Sequence, residues 1–244
     1  MTEVPERLCR GGSAGRLRLG YPDQLVSDVI GYARLGGQPA LEVGAGTGRA
    51  TMKFVAKGLP ITAVEPDARL AAVLTRKVAG APVTVRVSTF EDYVPERRFG
   101  LLFSAQAWHR VDPAVRWRKA AEAVTPGGVI ALFWNRERPA DAAINDEIQA
   151  AHRKHVPKVR FDPRMLPDPP PWPGIHGLAH RESHVYRWQV ELPSVDFVAN
   201  LAARSGYAAV EPETRSALFA DILARLGSEV RVAVDTELYQ ARTR

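Results

Sequence analysis

The chain has 244 residues, a length that favours one α/β domain over a small module held together by disulfides. With 45% hydrophobic and 25% charged residues it can form an apolar core, which excludes a disordered tail. Subtracting 27 acidic from 33 basic residues leaves a formal charge of +6, so an anionic partner has to be considered. A single cysteine, Cys9, excludes an internal disulfide and a zinc site built from cysteines.

No apolar segment of the sequence is long enough to cross a membrane as a helix. The longest clean run, Val129 to Trp134, is far below the roughly 20 residues that a spanning helix needs. The N-terminus has no apolar signal core. We therefore expect a cytoplasmic protein without a membrane partner.

Strand-like and helix-like segments alternate along the chain. The predicted strands are 40–43, 61–64, 83–87, 101–104, 129–134, 185–192 and 230–239. Helical spacing begins at residues 23, 47, 67 and 113 and covers 141–155, 194–204 and 212–226. This alternation predicts an α/β, Rossmann-like fold with seven strands in a mostly parallel sheet, an antiparallel C-terminal edge strand and helices on both faces.

We expect one domain over residues 1–244, made of four segments. These are an N-terminal arm and helix (1–35), a ligand-binding core (36–134), a lid or insertion (135–183) and C-terminal strands and helices (184–244). Seven of the nineteen prolines lie between Pro157 and Pro173, and prolines exclude a regular hydrogen-bonded ladder there. That stretch is therefore predicted to be a loop.

Glycines cluster where the first predicted strand meets the next helix, in Glu42-Val43-Gly44-Ala45-Gly46-Thr47-Gly48. Glycine permits a tight turn and lets a ligand approach the backbone. Glycine turns also end helices that bind nothing, so a purely structural role is an alternative. A carboxylate beside the turn, Glu42, disfavours a phosphate and suits a ligand with an ammonium group.

Glu65 directly follows the second predicted strand. The carboxyl ends of parallel strands meet at one edge of the sheet, so we expect Glu65 beside the glycine turn, where a carboxylate can accept both hydroxyls of a ribose. The alternative is a glutamate that caps the helix starting after Pro66-Asp67. The shared edge favours a nucleoside ligand.

Several motifs occur in the order and spacing of class I S-adenosylmethionine-dependent methyltransferases. The segment 42–48 resembles their first motif and Ala63-Val64-Glu65-Pro66-Asp67 resembles the second. Further similar segments are 88–92, 102–109 and 124–128. The helical 145–155 with its proline-rich sequel resembles a bacterial small-molecule subgroup that includes trans-aconitate and ubiquinone-biosynthesis methyltransferases.

The resemblance implies S-adenosylmethionine as cofactor and methyl transfer to a small-molecule acceptor, at an oxygen of a hydroxyl or carboxylate. The implied cofactor-binding residues are Glu42, Gly44, Ala45, Gly46, Gly48, Glu65, Pro66, Phe90, Glu91 and Ser104. Many relatives have an acidic residue where Thr89 stands. The adenine contact is therefore assigned to Glu91 or to backbone groups.

A hydroxyl acceptor needs a base, and His109, just after the fourth predicted strand, has a suitable side chain. A structural histidine is the alternative. The expected substrate pocket contains Arg18, Tyr21, Gln106, Trp108, Arg110 and Asn135. Arg110 would bind an acceptor carboxylate or would simply be solvated.

Three histidines, His176, His180 and His184, are four residues apart, but Pro173 and the nearby glycines argue against one helix, so we expect no metal. A nucleic-acid methyltransferase, a nicotinamide-dependent oxidoreductase and a non-catalytic cofactor-binding protein remain alternatives. No nucleic-acid partner is expected, because no RNA-binding module is visible. The sequence does not predict the oligomeric state.

Overall fold

A computed structural model describes residues 19–157, 177–202, 207 and 209–244. The helices are α1 (Asp23–Ala33), α2 (Arg49–Val55), α3 (Ala68–Lys77), α4 (Arg116–Ala123), α5 (Ala142–His155), α6 (Ser194–Ala202) and α7 (Pro212–Arg225), with a short 3₁₀ turn at Trp108–Arg110. The strands are β1 (Ala40–Val43), β2 (Ile61–Glu65), β3 (Val83–Val87), β4 (Phe99–Ala105), β5 (Val124–Pro139), β6 (Leu178–Pro193) and β7 (Glu229–Thr243). None of the described helices is both long and apolar enough to span a bilayer.

The seven strands form one sheet in the order β3-β2-β1-β4-β5-β7-β6. Strand β1 pairs in parallel with β2 and β4, β2 with β3, and β4 with β5. The sheet is mostly parallel with an antiparallel edge, and helices surround it. The predicted fold class is confirmed. Parallel pairing brings the carboxyl ends of β1, β2 and β4 to one edge of the sheet.

Strands β5 and β6 begin well before the residues that the sequence indicated. Strand β5 starts at Val124 and not at Val129, and its pairing with β4 shifts register between Phe99 and Leu101. This irregularity lets the extended backbone pass through Pro126 and the two following glycines. Strand β6 starts at Leu178, in a run of exposed polar residues without the apolar alternation that would mark a strand.

The predicted loop from Pro157 to Pro173 lies almost wholly outside the described residues. Arg18 also lies outside them.

The described chain divides into two compact units. The first, which we call the core unit, contains Gly20–Asn135, 177–186 and Thr236–Arg244. The second contains Leu19, 136–157 and the described part of Arg187–Asp235. Strands β5, β6 and β7 each contribute residues to both. The expected single domain with four segments stays a prediction.

In the core unit both faces of the sheet are buried. Leu101 and Phe103 of β4 belong to one hydrophobic cluster, whereas Leu102 between them belongs to the other. This alternation is what a strand covered on both faces requires. The first cluster includes Phe54 of α2, whose ring stacks on Phe103 with centroids 4.2 Å apart. Helices α1 and α2 are thereby fixed against the sheet beside the glycine turn.

The second unit has its own apolar cluster, to which α5, α6, α7 and β7 contribute. Within it His152 is buried, and its two ring nitrogens lie 2.7 Å from the carbonyl oxygen of Ile148 and 2.6 Å from the hydroxyl of Tyr207. Burial lowers the pKa of His152. This histidine therefore has a structural role as a neutral ring in the packed core of the unit.

Candidate functional site

The glycine turn joins β1 to α2 in the core unit. Gly44, Gly46 and Gly48 have φ values of 72°, 57° and 85°, in the left-handed region that favours glycine. At Gly44 an added Cβ would lie 2.3 Å from the Cβ of Ala107, and at Gly48 it would lie 2.4 Å from Cδ1 of Leu74. The first and last glycines are therefore required by the packing of the protein itself.

Gly46 differs from its two neighbours. Among the residues that the structure describes, and apart from the two chain neighbours, an added Cβ there would meet no heavy atom within 4 Å, although the φ value is positive. The backbone at Gly46 therefore faces open space. A ligand can approach the main chain at this point without displacing protein atoms.

Glu65, the last residue of β2, lies against this open point of the turn. Its Oε2 accepts a hydrogen bond from the backbone N–H of Gly46 at 2.7 Å, and its Oε1 accepts one from the N–H of Asp67 at 3.0 Å. Asp67 caps α3, since its Oδ1 accepts from the N–H of Arg69 at 2.8 Å. Because Asp67 caps α3, the structure does not support the alternative in which Glu65 is the helix cap.

Glu42 of β1 is a buried carboxyl group, with only 1% of the residue exposed. Its Oε2 accepts a hydrogen bond of 2.6 Å from Oγ1 of Thr51, the third residue of α2. Burial raises the pKa of Glu42 to about 8; the bond from Thr51 opposes this rise, and the nearby charge of Glu65 adds to it. A carboxyl buried beside apolar strand residues costs stability unless a partner compensates it.

The turn after β3 holds the next set of predicted residues. Phe90 is 3% exposed, and the carboxylate of Glu91 accepts a hydrogen bond of 2.7 Å from the N–H of Asp112. Lys119 of α4 donates to the carbonyl oxygens of Glu91 and Tyr93. The Glu91 carboxylate is thus oriented toward Asp112. The backbone of the turn is held in place by Lys119, a residue that sequence reasoning missed.

Several predicted site residues lie at the end of β4 or shortly after it. Ser104 is fully buried, and its hydroxyl donates to the carbonyl oxygen of Val43 at 2.8 Å, which ties β4 to β1. Gln106 has a φ of 62°, and its N–H donates to the carbonyl oxygen of Phe133 at 3.0 Å. His109 is half-buried and Arg110 is exposed on the 3₁₀ turn. The positive φ of Gln106 is a strained conformation for a residue other than glycine. Such strain near the end of a strand is typical of functional sites.

Two residues expected in the substrate pocket are buried in the structure. Trp108 is fully buried, with its ring 5.8 Å from that of Phe90 and 5.2 Å from that of Trp117. Asn135 is 3% exposed; its Nδ2 donates to the carbonyl oxygen of Gly20 at 2.8 Å, and its Oδ1 accepts from the hydroxyl of Thr236 at 2.7 Å. Both side chains have contacts inside the protein, and their expected place in the substrate pocket stays a prediction.

The remaining expectations concern the N-terminal arm and a metal. Tyr21 is 8% exposed and packs edge-on against Phe133, with centroids 4.9 Å apart. Pro66 is exposed at the end of β2, and Ala45 is buried in the turn. His180 and His184 lie on β6, whereas His176 is outside the described residues. Within the described ranges no group of three histidine, cysteine, aspartate or glutamate side chains is placed to hold a metal ion.

Comparison with known proteins agrees with this geometry. The sequence model of a family described as a methyltransferase domain matches residues 41–132, which include the glycine turn, Glu65 and the end of β4. Residues 41–132 are thus similar to this family, and they include the motifs on which the sequence-based prediction of a methyltransferase rests.

Sequence relatives and solved structures extend the comparison beyond residues 41–132. An uncharacterized methyltransferase of Mycobacterium tuberculosis is 33% identical over 126 residues, which are 51% of this chain and 49% of that protein. The chain thus spans about half the length of the mycobacterial relatives it matches at this level.

Two solved structures share the fold over most of the chain. One, from Anaeromyxobacter dehalogenans and assigned as a type II methyltransferase, has a TM-score of 0.61 and 20% identity over 92% of this chain and 97% of that one. The other, coclaurine N-methyltransferase bound to N-methylheliamine and SAH, has a TM-score of 0.52 and 13% identity over 90% of this chain and 72% of that one. At these identities the similarity establishes a common fold.

Proposed function

We propose that this chain transfers the methyl group of S-adenosylmethionine to an oxygen atom of a small-molecule acceptor, a hydroxyl or a carboxylate. The observation that carries the proposal is the open backbone at Gly46, whose N–H donates to Glu65, in a turn that follows the buried carboxyl group of Glu42. A nucleoside with a cationic amino-acid end matches this arrangement, whereas the phosphates of a dinucleotide would be repelled by it.

The residues present fit such a cofactor. We assign the ribose hydroxyls to Glu65 and the ammonium group to Glu42, with Gly44, Ala45, Gly46 and Gly48 forming the turn between them. The assigned site also includes Pro66 next to Glu65, Phe90 and Glu91 on the turn after β3, and Ser104 of β4, whose hydroxyl bonds to β1. The structure of coclaurine N-methyltransferase contains SAH, the demethylated form of this cofactor, and that protein has a similar fold.

The turn after β3 favours one of the two adenine contacts left open by the sequence. The carboxylate of Glu91 already accepts from the N–H of Asp112 at 2.7 Å, and Lys119 fixes the carbonyl oxygen of Glu91. Because Oε1 of Glu91 is already engaged, fewer of its lone pairs remain for an amino group, although Oε2 can still accept. We therefore assign the adenine contact first to backbone groups of residues 88–91.

On the acceptor side, the bound cofactor would supply an electrophilic methyl group, whose S–C bond breaks as the new O–C bond forms. The protein has to align the acceptor and take up the proton of a hydroxyl. His109 follows the end of β4 and is half-buried. We assign it the role of base, and we assign Arg110, exposed beside it, to a carboxylate of the acceptor. Gln106 and Tyr21 complete the proposed pocket.

The first test is ligand binding measured by isothermal titration calorimetry. We expect S-adenosylmethionine and S-adenosylhomocysteine to bind with one site per chain, and NAD not to bind. Binding of NAD in their place would contradict the proposal and favour an oxidoreductase. Cofactor binding without methyl transfer to any hydroxyl, carboxylate or RNA in a panel of acceptors would favour a non-catalytic protein.

The second test concerns the base. In His109→Ala we expect turnover of the best hydroxyl acceptor, followed with a labelled methyl group, to fall by about a hundredfold or more because general base catalysis is lost. The dissociation constant for S-adenosylhomocysteine should stay close to that of the unmodified protein. His184→Ala, which changes a half-exposed histidine on β6, is the matched control. Unchanged turnover in His109→Ala would exclude His109 as the base.

A further inference from the structure

Thr51 lies beneath the glycine turn and contacts the buried carboxyl of Glu42. The residue is fully buried, and its Oγ1 donates to Oε2 of Glu42 at 2.6 Å. The same Oγ1 lies 3.5 Å from the position that a Cβ of Gly48 would take. The hydroxyl therefore sits between the last glycine of the turn and the carboxyl group, and it fixes where that carboxyl lies.

The surroundings of Glu42 offer little else to hold it. In the sheet Glu42 is in register with Ala63 of β2 and with Phe103 of β4, both buried and apolar. Helix α2 carries two charged residues, Arg49 at its start and Lys53, and Lys53 pairs with Asp23 at 2.7 Å. A side chain with rotatable bonds in an apolar site adopts several orientations unless a hydrogen bond selects one.

We propose that Thr51 is a positioning residue, whose hydroxyl holds the carboxyl of Glu42 in the orientation that receives the ammonium group of the cofactor. The part that concerns the cofactor rests on the function proposed above. The part that concerns the ligand-free protein depends only on the contact between Thr51 and Glu42.

The proposal has a consequence for protonation. The charged group that acts on Glu42 from β2 is Glu65, α2 contributes the hydroxyl of Thr51, and the paired residue of β4 is apolar. Burial and Glu65 raise the pKa of Glu42, while the bond from Thr51 lowers it. Removal of the hydroxyl therefore raises this pKa further. A bound ammonium group beside Glu42 lowers the pKa of this carboxyl. Ligand binding below about pH 8 therefore releases a proton from Glu42, and the affinity for the ligand increases as the pH rises toward 8.

The decisive experiment is a pH titration of the ligand-free protein, followed by the ¹³C resonance of the Glu42 carboxyl. Glu42→Gln assigns this resonance. We expect the midpoint in Thr51→Val to lie about one pH unit above that of the unmodified protein, and the midpoint in Thr51→Ser to be unchanged. Equal midpoints in Thr51→Val and the unmodified protein would overturn the proposal. Thr51→Ala provides a second hydroxyl-free variant if the valine variant does not fold.

A binding arm separates this inference from the proposed function. We expect Thr51→Val to bind S-adenosylhomocysteine about tenfold more weakly than the unmodified protein at pH 7. In this variant the increase of affinity with pH should occur at higher pH. Thr51→Ser should have the affinity and the pH dependence of the unmodified protein. Absence of binding to the unmodified protein would contradict the proposed function, while the titration still decides the role of Thr51. Normal binding with the same pH profile in Thr51→Val would contradict the role of Thr51 alone.

Discussion

Replacing Glu65 by alanine is expected to weaken the binding of S-adenosylhomocysteine by about 2 kcal/mol, or roughly thirtyfold. The variant removes a charged acceptor from the end of β2, so a bound ribose would lose the partner of its hydroxyls. It also removes the acceptor of the Gly46 N–H, which lies 2.7 Å from Oε2. The turn is then less well ordered before the ligand arrives, and the cost of ordering it adds to the loss.

Two further variants give this prediction its controls. Glu65→Gln keeps an acceptor oxygen and should lose less affinity than Glu65→Ala, because it retains part of the hydrogen bonding. Glu122→Ala removes an exposed carboxylate of α4 that pairs with Arg118 four residues earlier, and we expect no change in affinity. If calorimetry gave Glu65→Ala the same dissociation constant as the unmodified protein, Glu65 would be removed from the site.

Replacing Gly46 by alanine is expected to lower the affinity for S-adenosylhomocysteine by about 2 to 3 kcal/mol, or roughly a hundredfold, while the fold persists. Within the described part of the chain no atom beyond the neighbouring residues lies within 4 Å of the new Cβ, so the methyl group occupies the space that we assign to the ligand. The positive φ of 57° adds a strain of about 1 to 2 kcal/mol to the folded state. Calorimetry measures the first effect and denaturant unfolding the second.

Gly58→Ala is the matched control for the strain. Gly58 follows α2 with a φ of 78°, and a Cβ there also meets no atom within 4 Å. We expect both variants to lose a similar amount of unfolding free energy, and Gly46→Ala alone to lose ligand affinity. Equal affinity in the two variants would show that the open backbone at Gly46 is not where the ligand binds.

The parallel half of the sheet and the glycine turn could be predicted because their signals are local. Short β-like runs of four or five residues mark β1, β2 and β3, and glycine is the residue type that a turn with positive φ needs. Glu65 followed from topology, since the carboxyl ends of parallel strands share an edge. These signals need no knowledge of contacts between distant residues.

The burial of Trp108 and Asn135 could not be predicted in this way. Both follow the end of a strand as the sequence predicted it, where ligand-contacting residues are common, but their partners come from other elements. Asn135 bonds to Gly20 and Thr236, which lie 115 and 101 residues away. Thr51 was missed for a related reason, because a single threonine in a helix gives no periodic signal. Its partner, Glu42, is identified only when β1 and α2 are packed together.

The position of β7 governs the order in which the sheet can be completed. This strand lies between β5 and β6, although it comes after both in the chain. During synthesis, β6 therefore has no place in the sheet until β7 has left the ribosome, and the outer edge of β5 stays unpaired until then. The buried bond between Thr236 and Asn135 forms only at this last step. Folding thus ends with the insertion of a central strand, a non-local step whose loop-closure entropy slows it.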